Sequence, residues 1–184
     1  MGKENLLERA ADILQKEEAM QSLKDRVKEL VANADAGSYV GIIRLQMVRE
    51  HESLYEGQRL SDAASAVKLV RPVFALTDRE VMVVMSVSSS MEPLAMEVAA
   101  VGGVDSCYVD MKNLFKHAIL NNAVNIICFH NHPGGTPSPS SEDRKVTEKI
   151  RKAGQILDIR LLDHIILCDD CYYSFSREEA FDYE

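Results

Sequence analysis

The sequence predicts an α/β (α+β) fold, a central mixed β-sheet flanked by helices, behind an N-terminal helical extension. Three observations carry that expectation. Short apolar runs at 80–87, 91–101, 124–129 and 160–167 have the length of buried strands. Segments with apolar residues at helical spacing lie before and between them, at 61–70, 110–121 and 146–157. Ahead of all of these, residues 4–34 are charged, contain no proline, and repeat an apolar residue at every seventh position.

In chain order, Leu6, Ile13, Met20 and Val27, joined by Leu23 and Leu30, form one narrow stripe on a long helix, interrupted by Glu17. Such a stripe packs either on the domain that follows or against a second copy of itself; the second case makes a homo-oligomer through this helix. Asp35-Ala36-Gly37-Ser38 stops the helix, so the extension is 1–36 and the domain 37–184. Residues 39–48 read as a half-buried strand and 49–57 as a polar loop. Ser61-Asp62 then opens a helix with Ala63, Ala66, Val67 and Val70 on one face, and Pro72 marks its end. The runs 80–87 and 91–101 form a hairpin about Ser88-Ser89-Ser90, and Gly102-Gly103 breaks the second run. The helix at 110–121 turns Met111, Leu114, Phe115, Ala118 and Ile119 to the core and leaves His117 off that face, in solvent. After the strands at 124–129 and 160–167, residues 172–175 form a short last strand, and 177 onward a frayed helical tail.

Composition excludes some classes of function. No stretch reaches the roughly 18 uninterrupted apolar residues of a membrane span. The polar N-terminus carries no signal-peptide pattern, so a cytoplasmic location is expected. A formal net charge of −8 argues against a broadly basic nucleic-acid-binding surface. The four cysteines, Cys107, Cys128, Cys168 and Cys171, are expected to be reduced thiols.

The chemistry-bearing stretch runs from His130 to Asp143. His130 and His132 are one residue apart at the end of an apolar strand, so in an extended chain both point to one face. A Gly/Pro/Ser loop follows, and Ser140 or Ser141 is a suitable N-cap for the next helix. Asp143 then falls in the first helical turn, eleven positions after His132. Three ligands with one position left for water is the pattern of a catalytic zinc site. An acid in the first turn of a helix is also common without metal, because it suits the helix dipole.

The string His130-x-His132-Pro133-x6-Ser140-x2-Asp143 matches the JAMM motif of the JAB/MPN metalloprotease superfamily at every defined position. Gly135, Pro137, Pro139 and Glu142 within it resemble the RadC branch, as do Asp78-Arg79-Glu80, Val104-Asp105-Ser106 and Leu162-Asp163-His164-Ile165-Ile166. The resemblance, over about residues 61–167, implies the JAB/MPN (cytidine deaminase-like) architecture. It also implies zinc (Zn2+) held by His130, His132 and Asp143, Glu80 as general base, and Ser140 stabilising an oxyanion, in a hydrolase of peptide or isopeptide bonds. Glu97 is the second choice for the base. The chain departs from the family at Val83, where the superfamily has glycine, and at Ser88, Gly134 and Thr136. None of these is an expected ligand.

Two other functions accompany this reading. One is the DNA-repair association attached to RadC proteins, acting on or near nucleic acid, which the acidic charge supports poorly. The other is a metal-bearing interaction module without catalysis. Cys168-Asp169-Asp170-Cys171 reads as a turn between strands, and His164, in an apolar strand, as a core histidine or one supporting a ligand rather than a ligand itself.

Overall fold

The computed structural model describes residues 25, 59–74, 77–102, 109–133 and 135–183. The expected N-terminal helix, the boundary at 36 and the strand at 39–48 lie outside these residues, apart from Asp25, which is helical and exposed. Between residues 59 and 183 the described residues form, in order, α1 (Ala63–Phe74), β1 (Val81–Val87), β2 (Pro93–Val101), α2 (Met111–Leu120), β3 (Asn125–Asn131), α3 (Ser141–Leu157), β4 (Arg160–Leu167), β5 (Cys171–Ser174) and β6 (Glu179–Asp182).

The strands form one mixed sheet in the order β2-β1-β3-β4-β5-β6. Only β3 and β4 run parallel, because α3 connects them as a crossover; the other neighbouring pairs are antiparallel. β1 and β3 are buried along their whole length, as expected of central strands covered on both faces. Alternation sorts their side chains between two cores. Val81, Val83, Met85, Val87, Ile127 and Phe129 pack with Ala66, Val67 and Val70 of α1. Met82, Val84, Ile126 and Cys128 pack with Leu114, Phe115 and Ala118 of α2 and Ile150 of α3. The fold is therefore a sheet between helical layers, as predicted. Among the described residues, no helix is long and apolar enough to cross a membrane.

Four local expectations are corrected. α1 continues past Pro72 to Phe74. Proline in a last turn removes one backbone bond, and Lys68, whose carbonyl loses that partner, is exposed to water. Ile119 is 52% exposed, since it falls beyond the edge of its helix's buried stripe. The tail after Arg177 is a strand, β6, because the chain turns back at Glu178 (φ 56°) and stacks Phe181 and Tyr183 on Tyr172. His117 is buried, not solvated: Ser86 Oγ meets its Nε2 at 3.0 Å and its Nδ1 donates to the Leu114 carbonyl at 3.2 Å.

At the far end of α3, Asp158 takes the left-handed conformation and Ile159 N–H donates to the Gly154 carbonyl. A Cβ at Gly154 would collide with the Ile159 carbonyl oxygen, so only glycine permits this close approach of α3 and β4.

Candidate metal centre

The convergence of the three predicted ligands follows from the β3–α3–β4 crossover. A crossover helix must begin where the first strand ends, so its first turn lies beside the last residues of β3. His130 occupies that end, on the face shared with α2 and α3. His132 N–H donates to the Leu167 carbonyl at 2.9 Å, which keeps the chain extended and both imidazoles on one face. Gly135, at φ +76°, then turns the loop back by donating its N–H to the His132 carbonyl. Ser140 caps α3 through a reciprocal box: its hydroxyl accepts from Asp143 N–H at 3.1 Å, and Asp143 Oδ2 accepts from Ser140 N–H at 2.7 Å. The box swings the Asp143 carboxylate inward, toward the two rings.

The resulting contacts are close. His130 Nε2 lies 3.0 Å from His132 Nε2 and 3.1 Å from Asp143 Oδ1; His132 Nε2 lies 3.4 Å from Asp143 Oδ2. His132 Nδ1 donates to the Thr136 carbonyl at 2.8 Å, so in the neutral ring its lone pair is on Nε2. Two nitrogens that turn lone pairs toward one another and toward a carboxylate repel unless a cation sits among them. That cation is a proton or a metal ion. Without metal, the hydrogen bond with Asp143 is the chief cause that raises the His132 pKa, and Glu80 adds to it. Burial pushes the Asp143 carboxyl upward, but its neighbours His130, His132 and Ser140 outweigh it and hold the group well below the usual carboxylate range. The donor set fits a metal as well. Tetrahedral zinc with ligands at about 2.0–2.1 Å separates them by roughly 3.3 Å, close to the spacings found here. Among the described residues, His130, His132 and Asp143 form a group able to hold a metal ion, with ligand atoms all within 4.8 Å.

Glu80 immediately precedes β1 and continues its ladder, its backbone carbonyl accepting from Gly102 N–H at 2.8 Å. Met82 pairs with His130 across the strands, so alternation puts Glu80 on the same face, toward His132. Asn131 ties this corner together, accepting from Val81 N–H and donating to the Arg79 carbonyl. Glu97, the second choice for the base, pairs across from Val84 and faces His117 at 3.7 Å. Ser140 donates its hydroxyl to Asp143 Oδ2 at 2.6 Å, so in this arrangement it holds the Asp143 carboxylate.

His164 is buried beside the group and meets His130 at 2.8 Å; its burial drives its pKa well down. Thr147, which sequence reasoning passed over, closes on His164 from α3 at 2.6 Å. Only its place one turn after Asp143 could have signalled it. Cys168 and Cys171 bound the β4–β5 turn as expected, with Cys168 N–H donating to the Cys171 carbonyl. Burial pushes the Cys168 thiol up to about 12.

The RadC-like JAB domain family matches residues 60–180. The chain belongs to that family. It is 30% identical over 151 residues to a UPF0758 protein of Flavobacterium johnsoniae, covering 82% of this chain and 66% of that one. A UPF0758 protein of Listeria monocytogenes is 35% identical over 138 residues, 75% of this chain and 60% of its own length. One from Thermotoga maritima is 29% identical over 181 residues, 95% of this chain and 81% of its own. The chain thus spans about two thirds or less of the Flavobacterium and Listeria relatives.

Proposed function

We propose that this RadC-like chain is a metal-dependent hydrolase of peptide or isopeptide bonds that uses zinc. The observation that carries the reading is the convergence of two imidazole Nε2 atoms and one carboxylate on a single point at the end of β3. His130, His132 and Asp143 would hold the ion. When bound, zinc supplies a water acidified toward neutral pH and polarises a carbonyl.

The chain's own groups supply the rest. Glu80, on the face of His130 and His132, takes a proton from the attacking water and returns it to the leaving nitrogen. Ser140 keeps Asp143 in place through the capping box; turned from Asp143 Oδ2, the same hydroxyl would donate to the developing oxyanion. Glu97 faces His117 in the other cluster, and Glu80 lies on the strand face of His130 and His132, which favours Glu80 as the base. A cytoplasmic setting accords with the free thiols of Cys128, Cys168 and Cys171. Self-association through the helix expected at the N-terminus is part of the same proposal.

Metal analysis beside hydrolysis of a peptide and isopeptide panel tests the reading. The intact chain should carry one zinc and cleave, and His132→Ala and Asp143→Ala should lose both. Hydrolysis that persists with no metal bound would overturn it.

One observation favours a second reading, an association with nucleic acid. The exposed side of α3 carries Arg144, Lys145, Lys149, Arg151 and Lys152 against Glu142 and Glu148, beside the metal group and despite the acidic total. Retention on DNA that falls steeply with salt would support it, and absence of retention at low salt would remove it.

A further inference from the structure

His164 takes no part in the chemistry proposed above, yet it is 1% exposed and both its ring nitrogens are engaged. Nδ1 lies 2.6 Å from Thr147 Oγ1 and Nε2 lies 2.8 Å from His130 Nδ1. The direction of each bond is fixed from the backbone outward. The Thr147 hydroxyl has one proton, and it donates that proton to the Asp143 carbonyl at 2.6 Å, because a carbonyl only accepts. Thr147 Oγ1 therefore meets His164 as an acceptor, and the proton of His164 is on Nδ1. A second proton on this ring would bury a cation with no carboxylate hydrogen-bonded to it, and the ring lies stacked on Phe175, centroids 5.0 Å apart and 8° from parallel. Nε2 is then bare and accepts from His130 Nδ1–H. A neutral His130 that donates from Nδ1 carries its lone pair on Nε2, the atom that faces His132 and Asp143.

We propose that Thr147 and His164 are positioning residues: a relay that runs from the Asp143 carbonyl through Thr147 and His164 to His130, and fixes His130 in the tautomer and ring orientation a metal ligand needs. The relay joins two ligands that come from different elements, the end of β3 and the first turn of α3. Its use in metal binding rests on the metal-site reading above. Neighbours that orient a ligating histidine through its other nitrogen are worth about 10–100-fold in metal affinity.

The test compares the intact chain with Thr147→Val, which keeps the side chain's shape and removes the hydroxyl, and with Thr147→Ser, which restores it. Two readouts are taken: imidazole nitrogen NMR of the metal-free chain at neutral pH, and zinc affinity by competition with a chelator. The intact chain should show both His164 and His130 protonated at Nδ1 and bare at Nε2. In Thr147→Val, His130 should populate the Nε2–H tautomer and zinc affinity should fall about 10–100-fold, with Thr147→Ser returning both to near the original. A merely structural role would lower the melting temperature of Thr147→Val without moving the His130 tautomer. His164 carrying its proton on Nε2 in the intact chain overturns the relay, even if the valine variant fails to fold. Unchanged zinc affinity in a folded Thr147→Val also overturns it. An intact chain with the stated tautomers but no affinity for zinc removes the metal reading and leaves the hydrogen-bond relay standing.

Discussion

His130, with His132 and Asp143, and His117, with Ser86 and Glu97, lie on the same face of the sheet. Both histidines are at most 5% exposed, and both have a carboxylate close by. By residue type the second group is the more suggestive, since serine, histidine and glutamate are the members of a nucleophile, base and orienter. Its bonds say otherwise. His117 Nδ1–H donates to the Leu114 carbonyl, Nε2 accepts from the Ser86 hydroxyl, and Asn121 Nδ2 donates to Ser86 Oγ at 3.4 Å. Each donor meets an acceptor, and Ser86 is fully buried, so no substrate carbonyl reaches it. In the first group the N–H bonds point outward, to the Thr136 carbonyl and to His164, and the bare nitrogens point inward at one another. Two buried histidines are thus told apart by the direction of their lone pairs. A closed set of complementary bonds stabilises a fold, whereas convergent lone pairs require a cation.

The sharpest way to break that contrast is to remove each histidine in turn. His130→Ala should abolish stoichiometric zinc. His117→Ala should leave zinc binding unchanged and lower folding stability by about 2 kcal/mol, through the unsatisfied Ser86 and the space left behind. Zinc analysis with denaturant unfolding reads both, and loss of zinc in the His117 variant would erase the distinction.

A smaller difference separates the two glutamates. Glu80→Gln should cut hydrolysis by about 10²–10⁴-fold with zinc retained. Glu97→Gln should leave the rate near the original. A steady-state comparison in which Glu97→Gln is the slower variant would transfer the base to the other cluster.

The helix caps give a weaker contrast still. Ser140 caps α3 and Asp110 caps α2, each through its side chain. Alanine at either should cost about 1 kcal/mol in unfolding experiments. Only Ser140→Ala should also weaken zinc, because that cap holds Asp143.

The pH dependence of the metal-free chain should differ in sign. The hydrogen bond with Asp143 raises the His132 pKa, so its contribution to stability is full below the ordinary value of 6.5 and is lost as pH rises through the raised value. Burial lowers the His117 pKa against the opposing pull of Glu97. Its contribution is present above 6.5 and is lost as pH falls toward the lowered value. With a chelator present, His132→Gln should flatten the alkaline limb of stability against pH, and His117→Gln the acid limb. The reverse assignment would show that the proton in the first cluster is not on His132.

Much of this is legible in the sequence. The strands of the sheet announced themselves as short apolar runs, and the crossover as a loop followed by helical spacing, because burial imposes a period on sequence. His130, His132 and Asp143 were legible as candidates since a strand end, a turn-forming glycine and an N-cap are local features. Other residues were not legible, for reasons that are equally physical. His117 lies off the apolar stripe of α2, and its burial depends on Ser86, thirty-one residues away in sequence and opposite it in the fold. The strand at β6 depends on Tyr172 offering a surface for Phe181. Thr147 has no motif of its own; its role exists only once β4 has brought His164 beneath α3.

The sequence by itself determined the layer architecture and the residues that can meet at the end of β3, because period, turn chemistry and capping act over a few neighbours. Tertiary structure decided which of the four described histidines turn bare nitrogens toward a common point. That property belongs to hydrogen bonds between distant segments, and a buried imidazole places its proton where those segments leave an acceptor.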